Sequence, residues 1–343
     1  MVQGPNLPTP PIVWVEVGRN IPRHFWKATL LSKAIHPKIH QILVTDRFVT
    51  KSTLKSKECE YLEIIHCPES IRLTNFRNRM INNFEGSQQM MFWINTTARF
   101  FYLDKSLREL GIEKCIHLES DSILLNREGI QGFFCNKSAL VGFPMQSRNV
   151  GCASIFLVNG LEALNAMLSF FETEQISGFR DDMQLLGDFA KNSEFAFILN
   201  SNLEGEKSEV IFDAQSIGRF YLGTDSRNQR WPFSSRGLSD ERRTDHFKLD
   251  VPINYSFQRV LAGIDLTIYC EKGSMKLSSI HIHSKNIPNT ITRLEKSLRK
   301  ALKPRIKLLW SIGRFDLLVF VERLFSVVSR RILRKKSYEI RLR

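Results

Sequence analysis

Two carboxylates lie two positions apart in residues 116–125, where Glu119 and Asp121 flank Ser120 between apolar residues. In an extended backbone, residues two apart point to the same side, so these side chains can share one ligand. Two buried carboxylates repel each other and lose hydration, and a divalent cation relieves both penalties. Hard cations such as Mg²⁺ and Mn²⁺ favour carboxylate oxygens. An isolated acidic pair can equally be a solvated turn between two strands. The residues elsewhere in the chain therefore decide between a turn and a metal site.

Two histidines and a lysine alternate near the end of the ordered-looking sequence, at His281, His283 and Lys285. Alternation places the three side chains on one face of a strand. Imidazole is an acceptable Mn²⁺ ligand, and lysine binds phosphate well. A single strand histidine is usually a packed or surface residue, so this group gains meaning only together with the acidic pair upstream.

Two further acids, Asp181 and Asp182, precede a predicted helix with apolar positions from Met183 to Phe189. Either aspartate is a good N-cap, because its side chain can accept a backbone N–H of the first turn. The alternative is a catalytic carboxylate that lies within hydrogen-bond reach of a substrate hydroxyl.

The elements that must position these residues are alternating strands and helices. The sequence predicts strands at 12–18, 39–46, 61–66, 139–143 and 153–159, a helix that ends at Gly111, and after it a further strand that delivers the acidic pair. This alternation predicts an α/β fold with a mostly parallel central sheet flanked by helices. Ligands of such sheets bind beyond the carboxyl ends of the strands, where Glu16, Asp46 and the acidic pair would lie.

Composition separates a nearly neutral body from a basic tail. The chain has 343 residues, 43% of them hydrophobic, and a formal net charge of +14. Residues 291–343 hold 16 Lys or Arg against four Asp or Glu, so most of that charge lies in the tail. This distribution argues against a general nucleic-acid-binding protein. The first residues lack a basic region followed by an apolar one, which predicts a cytoplasmic protein.

The tail carries an amphipathic pattern over residues 316–330, followed by a basic cluster at 330–336. A wide apolar face that ends in basic residues is typical of a helix lying on an anionic membrane surface. The alternative is a helix packed on the rest of the chain or on a second subunit of a homo-oligomer.

The run Thr97-Ala98-Arg99-Phe100-Phe101, then Gly111, then His117-Leu118-Glu119-Ser120-Asp121, resembles the heart of the GT-A glycosyltransferases. Downstream, a helix-start acid and then His-Ile-His-Ser-Lys appear in the same order, which extends the resemblance over residues 11–286. The acidic triplet of that superfamily, the DxD motif, holds a metal ion and a nucleotide-sugar donor. Here its first position is Glu rather than Asp.

The resemblance implies a role for each of these positions. Asp121 would ligate Mn²⁺ or Mg²⁺, with a late histidine as a further ligand, and the spacing to Lys285 favours His283 over His281. Glu119 would reach the metal or the donor's ribose. The other implied donor-binding residues are Ser120, Arg99, Lys285 and Asp46.

The acceptor side is implied by the residues further along. Asp182, or alternatively Asp181, would deprotonate the acceptor in an inverting enzyme and orient substrate in a retaining one. Asp213, Gly218 and Asp225 lie within an aromatic run, and ring faces are common platforms for sugars, so these residues would form an acceptor site or pocket. The alternative for Asp213 is a capping residue.

The sequence therefore predicts a metal-dependent glycosyltransferase (a hexosyl- or related transferase) of bacterial polysaccharide biosynthesis. Its acceptor would be a lipid-linked or envelope glycan, and the protein would be peripheral on the inner face of the plasma membrane. The predicted domains are a GT-A catalytic domain at 1–290, with a nucleotide-sugar half at about 1–125 and an acceptor half at about 126–290, and the helical tail at 291–343.

Two other functions remain open on the sequence alone. A nucleotidyltransferase also clusters carboxylates around Mg²⁺, but residues 17–20 lack the glycine-rich phosphate loop that often comes after the first strand of such enzymes. A non-catalytic membrane-associated binding protein would keep the same fold without the reaction.

Overall fold

The computed structural model describes residues 9–18, 21–47, 60–83, 88–174, 180–201, 210–214, 254–260, 263–270 and 273–282. The predictions made for Gly218, Asp225, His283, Lys285 and the tail at 291–343 lie outside these described residues. The division into domains therefore stays a prediction.

The described strands and helices succeed one another in the order expected for an α/β chain up to residue 201. The strands are β1 (Ile12–Glu16), β2 (Gln41–Thr45), β3 (Leu62–His66), β4 (Lys114–Leu118), β5 (Ser122–Leu124), β6 (Leu140–Ser147), β7 (Val150–Gly151), β8 (Ile155–Asn159), β9 (Ala196–Leu199), β10 (Val210–Phe212), β11 (Asn254–Val260), β12 (Gly263–Cys270) and β13 (Gly273–His281). The helices are α1 (Arg23–Ile35), α2 (Ile71–Asn83), α3 (Gln88–Glu109), α4 (Glu128–Phe134), α5 (Leu161–Glu174) and α6 (Asp182–Asn192).

The central sheet has the strand order β3-β2-β1-β4-β8-β6-β7, with β9 paired to β6. The pairs from β3 to β4 and the β6–β9 pair are parallel, whereas β8 is antiparallel to both β4 and β6. Every residue of β1, β2 and β8 is buried, because helices cover both faces of the sheet. The predicted α/β fold with a mostly parallel central sheet flanked by helices is confirmed.

A second sheet has the order β10-β13-β12-β11. Strand β5 pairs with the end of β13, on the edge opposite to β10. Three of its pairs, β11–β12, β12–β13 and β13–β5, are antiparallel, and β10–β13 is parallel. Because β5 comes after β4 and a three-residue turn, the end of the central sheet leads directly into this second sheet. The sequence did not predict the β11–β12 hairpin.

Helix α3 packs against the central sheet and forms much of the core. Its apolar residues Ile94, Phe100, Phe101 and Leu103 are fully or almost fully buried. At 22 residues the helix is about 33 Å long, and its Asn95 side chain lies against Gly18, just past the carboxyl end of β1. No helix in the described part of the chain is both long and apolar enough to span a bilayer.

Candidate active site

The acidic triplet forms the turn between β4 and β5, at the carboxyl end of the central sheet. The Ser122 amide donates to the Glu119 carbonyl over 2.9 Å, which closes the turn. Strand β4 continues the buried parallel sheet, and its end therefore lies where α/β sheets bind ligands. Ser120 and Asp121 are only 7% and 8% exposed, so a solvated turn is excluded.

Glu119, Asp121 and His281 converge at this edge, and their ligand atoms all lie within 4.8 Å of one another. His281 Nε2 lies 3.3 Å from Asp121 Oδ1 and 3.6 Å from Glu119 Oε2. Strand β13 brings the histidine here because it pairs with β5 in a register that aligns His281 with Ser122. Two carboxylates and one imidazole are a donor set that fits Mn²⁺ or Mg²⁺.

The late histidine that the structure brings to the acidic pair is His281, which is 5% exposed. The sequence had favoured His283 because of its spacing to Lys285, and both of those residues lie outside the described part of the chain. The structure therefore shows His281 next to Glu119 and Asp121, whereas the assignments of His283 and Lys285 stay predictions.

The charges of the three side chains are strongly coupled. Burial alone would lower the pKa of His281, but the neighbouring Asp121 and Glu119 carboxylates raise it well above its usual value. Burial would raise the pKa of Glu119, yet Arg99 and His281 keep it below its ordinary value. An imidazole that ligates a cation is neutral, so binding of a cation to His281 would release the proton that the carboxylates retain.

Arg99 joins the acidic triplet to the start of α6. It projects from α3, where one guanidinium nitrogen donates to Glu119 and another donates to Asp182. Its side chain is 11% exposed, and burial would lower its pKa, but the two carboxylates raise that pKa instead. The side chain thus contacts one predicted donor-binding residue and one predicted catalytic residue at the same time.

The two aspartates at the start of α6 have different surroundings. Asp181 is the N-cap: its Oδ1 accepts the Gln184 amide at 2.8 Å, and the Gln184 side chain accepts the Asp181 amide in return, which completes a capping box. Asp182 is 2% exposed and points to Arg99. Burial raises the pKa of Asp182 to about 6, although Arg99 opposes this shift. The structure therefore assigns the capping function to Asp181 and leaves the Asp182 carboxylate for other contacts.

Ser120 and Asp46 lie on either side of the end of β1. Ser120 Oγ is 3.1 Å from Nε2 of His24, a residue of α1 that sequence reasoning had not singled out. Asp46 comes directly after β2, and its Oδ2 accepts the Gly18 amide at 2.9 Å. Because β2 is two strands from β4 and strands are about 4.8 Å apart, Asp46 lies about 10 Å from the acidic triplet.

Asp213, predicted as part of an acceptor pocket, is 1% exposed. Its Oδ2 accepts the backbone amide of His281 at 3.0 Å. The side chain therefore contacts the backbone of β13 at His281, and its predicted place in an acceptor pocket stays a prediction. Burial and strand pairing produce this placement, and the sequence gives no sign of either.

No protein-family model matches this chain, and no curated protein matches its sequence. Solved structures do share features of its fold. The structure of galactosyltransferase LgtC in complex with donor and acceptor sugar analogs has a TM-score of 0.40 and 14% identity, over 68% of this chain and 82% of that one. The apo form of mouse xyloside xylosyltransferase 1 has a TM-score of 0.39 and 11% identity, over 56% of this chain and 85% of that one.

A third similar structure is the glycosyltransferase GlyE from Streptococcus pneumoniae TIGR4, with a TM-score of 0.36 and 16% identity. The match covers 56% of this chain and 46% of GlyE. All three of these proteins are glycosyltransferases by name. Similarities at this level concern the fold alone, so they assign neither a reaction nor a substrate to this chain.

Proposed function

We propose that this protein is a glycosyltransferase that uses a nucleotide-sugar donor and a divalent cation, Mn²⁺ or Mg²⁺. The observation that supports it best is the convergence of Glu119, Asp121 and His281 at the carboxyl end of the central sheet. These are positions at which the sequence resembles the GT-A enzymes. A cation held here would neutralise the diphosphate that leaves when the glycosidic bond breaks.

The cluster formed by Glu119, Asp121 and His281 holds the cation, and neighbouring residues bind the donor. Asp121 and His281 are the proposed direct ligands, and Glu119 reaches either the cation or the donor's ribose. Arg99 and Ser120 border the same edge, where a guanidinium and a hydroxyl can donate to phosphate or sugar oxygens. Asp46 lies at the end of β2, farther along the edge, where a nucleotide that spans several strands would contact it.

Asp182 is the proposed acid–base or orienting residue. Its carboxylate accepts from one terminal nitrogen of the Arg99 guanidinium while Glu119 accepts from the other, so a sugar bound at this edge would lie close to both carboxylates. A pKa of about 6 lets this carboxyl exchange protons close to neutral pH, as a general base requires. In an inverting reaction it would deprotonate the acceptor hydroxyl, and in a retaining reaction it would orient the donor sugar.

The acceptor and the cellular location are proposed from the sequence of the tail. A lipid-linked or envelope glycan at the cytoplasmic face of a membrane would suit the basic amphipathic pattern of residues 316–330. Truncation after residue 289 is then expected to abolish binding to anionic liposomes. Unchanged liposome binding by a folded truncated protein would refute the membrane assignment.

The decisive experiment pairs a ligand screen with one substitution. The native chain is expected to show a thermal shift with one or more nucleotide sugars only when Mn²⁺ is present, since a ligand of the folded state raises apparent stability. Asp121→Asn should abolish this shift and any metal-dependent hydrolysis of the donor. The matched control is Asp188→Asn on the surface of α6, where the carboxylate pairs with Arg180 and lies away from the cluster.

Each outcome separates the proposed function from its rivals. Hydrolysis of a nucleotide sugar that depends on Asp121 supports glycosyl transfer. Transfer of the nucleotide itself to a sugar phosphate would favour a nucleotidyltransferase. Absence of turnover of every donor by the folded native protein would favour a non-catalytic binding protein.

A further inference from the structure

The two chain segments that form the cluster are joined behind it by a path of hydrogen bonds. The Glu119 amide donates to the carbonyl of Ser154 at 3.3 Å, just before β8 begins. Ser154 Oγ in turn donates to the carbonyl of Asp213 at 3.0 Å. The Asp213 carboxylate then accepts the amide of His281 at 3.0 Å. The acidic triplet is thus connected to the histidine through two residues that are not members of the cluster.

A second bond closes this path on the opposite side of β13. The Ile282 amide donates to the carbonyl of Asp121 at 2.6 Å. Successive amides of an extended strand point to opposite edges, so His281 is held from the β10 side and Ile282 from the β5 side. The end of β13 is therefore held from both edges where it presents the imidazole to the acidic pair.

Asp213 replaces a strand partner that the fold does not provide. Strand β10 ends at Phe212, and the Asp213 amide still donates to the Ser279 carbonyl at 3.3 Å, but the Asp213 carbonyl accepts the Ser154 hydroxyl and so offers nothing to the next amide of β13. Its register with β13 also shifts between Ile211 and Phe212, which face Leu277 and Ser279. Such bulges occur next to active sites, where they re-aim a side chain. The Asp213 side chain continues the ladder beyond the bulge by accepting the His281 amide.

The burial of the two connecting residues indicates that their polar groups are engaged within the structure. Ser154 and Asp213 are each 1% exposed. A buried carboxylate is costly unless hydrogen bonds compensate it, so an aspartate at this position is not explained by packing. Asp213 also lies outside the group whose ligand atoms can meet on one cation.

We propose that Asp213 is a positioning residue for the cation site. It acts through the backbone of His281 and fixes the reach of the imidazole to Asp121 and Glu119, while Ser154 holds the backbone of Asp213. This inference rests on the proposed cation site. It adds that cation binding depends on the buried Asp213 carboxylate, which contacts neither the cation nor the substrate.

The test measures Mn²⁺ binding to the full chain, with Asp213→Ala and Asp213→Asn compared at a temperature at which both are folded. Loss of a supporting hydrogen bond around a metal ligand typically weakens affinity by about 10- to 100-fold, and this is expected for Asp213→Ala. Asp213→Asn keeps an amide oxygen that can accept the same backbone N–H, so its affinity should stay within a few-fold of the native value. Asp188→Ala serves as the surface control.

A spectroscopic measurement separates positioning from general destabilisation. Electron spin-echo spectra of bound Mn²⁺ should show nitrogen coupling from an imidazole in the native chain and in Asp213→Asn. This coupling should be weakened or lost in Asp213→Ala, as in His281→Ala. Ser154→Ala, which removes the hydroxyl that holds Asp213, should lower affinity by a smaller factor and provides the test if Asp213→Ala does not fold.

Two results would overturn the proposal. The first is native Mn²⁺ affinity with native nitrogen coupling in Asp213→Ala, which would show that the hydrogen bond does not position the imidazole. If Asp213→Ala is unfolded, native Mn²⁺ affinity in Ser154→Ala would show the same. Equal losses in Asp213→Ala and Asp213→Asn would show that the negative charge matters instead of the bond. If the folded native chain binds no Mn²⁺ at all, the proposed cation site fails first, and this outcome is distinct from both.

Discussion

Replacement of Arg99 by methionine should couple the stability of the fold to the cation site. Arg99 donates to both Glu119 and Asp182, and its side chain is 11% exposed. Methionine retains much of the length and apolar contact of arginine but removes the charge. Without it, two carboxylates at a buried edge lose their shared counter-charge, and Asp121 adds a third negative group beside them.

The burial of this bridge sets the magnitude of the effect. Removal of one partner from a buried ion pair typically costs about 3–5 kcal/mol, because the remaining charge is left uncompensated. We expect Arg99→Met to lose about 3 kcal/mol in a chelator, the lower end of that range, since Glu119 is 21% exposed and water reaches it. A cation at the cluster supplies positive charge next to Glu119, so the loss should shrink when Mn²⁺ is present.

Urea denaturation in EDTA and in saturating Mn²⁺ measures both quantities. A ligand at about 100 times its Kd stabilises a protein by about 2.7 kcal/mol, and Arg99→Met should gain more than the native chain because Arg99 no longer repels the cation. Arg72→Met is the matched control. Arg72 pairs with Glu172 and also donates to Asn165 and Ser169, with 29% of its side chain exposed, so its loss should cost about 1–2 kcal/mol and should not respond to Mn²⁺.

An equal loss of stability for Arg99→Met in EDTA and in Mn²⁺ would refute the coupling of this ion bridge to the cation site. Equal losses of stability for Arg99→Met and Arg72→Met would refute the role given to the burial of the Arg99 bridge. A double variant sharpens the result, because Glu119→Gln removes one of the two carboxylates and should restore part of the stability that Arg99→Met loses in the chelator.

Three further predictions concern the surrounding elements. Gly187→Ala should lower the free energy of unfolding in urea by more than about 1 kcal/mol, because the new Cβ would lie 2.0 Å from a backbone oxygen of the β6–β7 turn. Gly132→Ala should instead raise it by about 0.5–1 kcal/mol, because a Cβ there meets nothing within 4 Å. Asp181→Ala should cost about 1 kcal/mol of stability and spare donor turnover, whereas Asp182→Asn should abolish turnover in a folded protein; the reverse pattern would refute the assignment of the cap. Burial lowers the pKa of His36 to about 4, so as the pH drops the unfolded chain binds a proton before the folded one does. The free energy of unfolding should therefore fall by up to about 3 kcal/mol between about pH 6.5 and about pH 4. His36→Gln should flatten this pH dependence, and an unchanged pH dependence would contradict the assignment.

Much of the central sheet was predictable because its signals are local. The strands around Val13 and Leu43 contain uninterrupted apolar runs, and Gly111 marks the end of the long helix with a φ of +64°. The acidic triplet was equally visible, since alternation within one short segment fixes which side chains share a face.

The completion of the site was less predictable because it depends on contacts between distant segments. Two histidines with identical alternation were candidates, and the pairing of β13 with β5 brings His281 to the acidic pair. The bridge from Arg99 to Asp182 requires α3 and α6 to meet at one end, which periodicity within either helix does not report. The burial of Asp213 likewise depends on a register shift in the β10–β13 pair.

The cluster draws its members from positions about 160 residues apart, because Asp121 and His281 come from distant parts of the described chain. During synthesis the acidic turn leaves the ribosome long before the histidine does. Contacts of such large sequence separation form late, after the cost of closing the loop between them has been met. If the cluster binds Mn²⁺ as proposed, retention of the ion would therefore report that a newly made molecule has folded as far as β13, and chains that stop short of this strand would be recognisable by their failure to hold it.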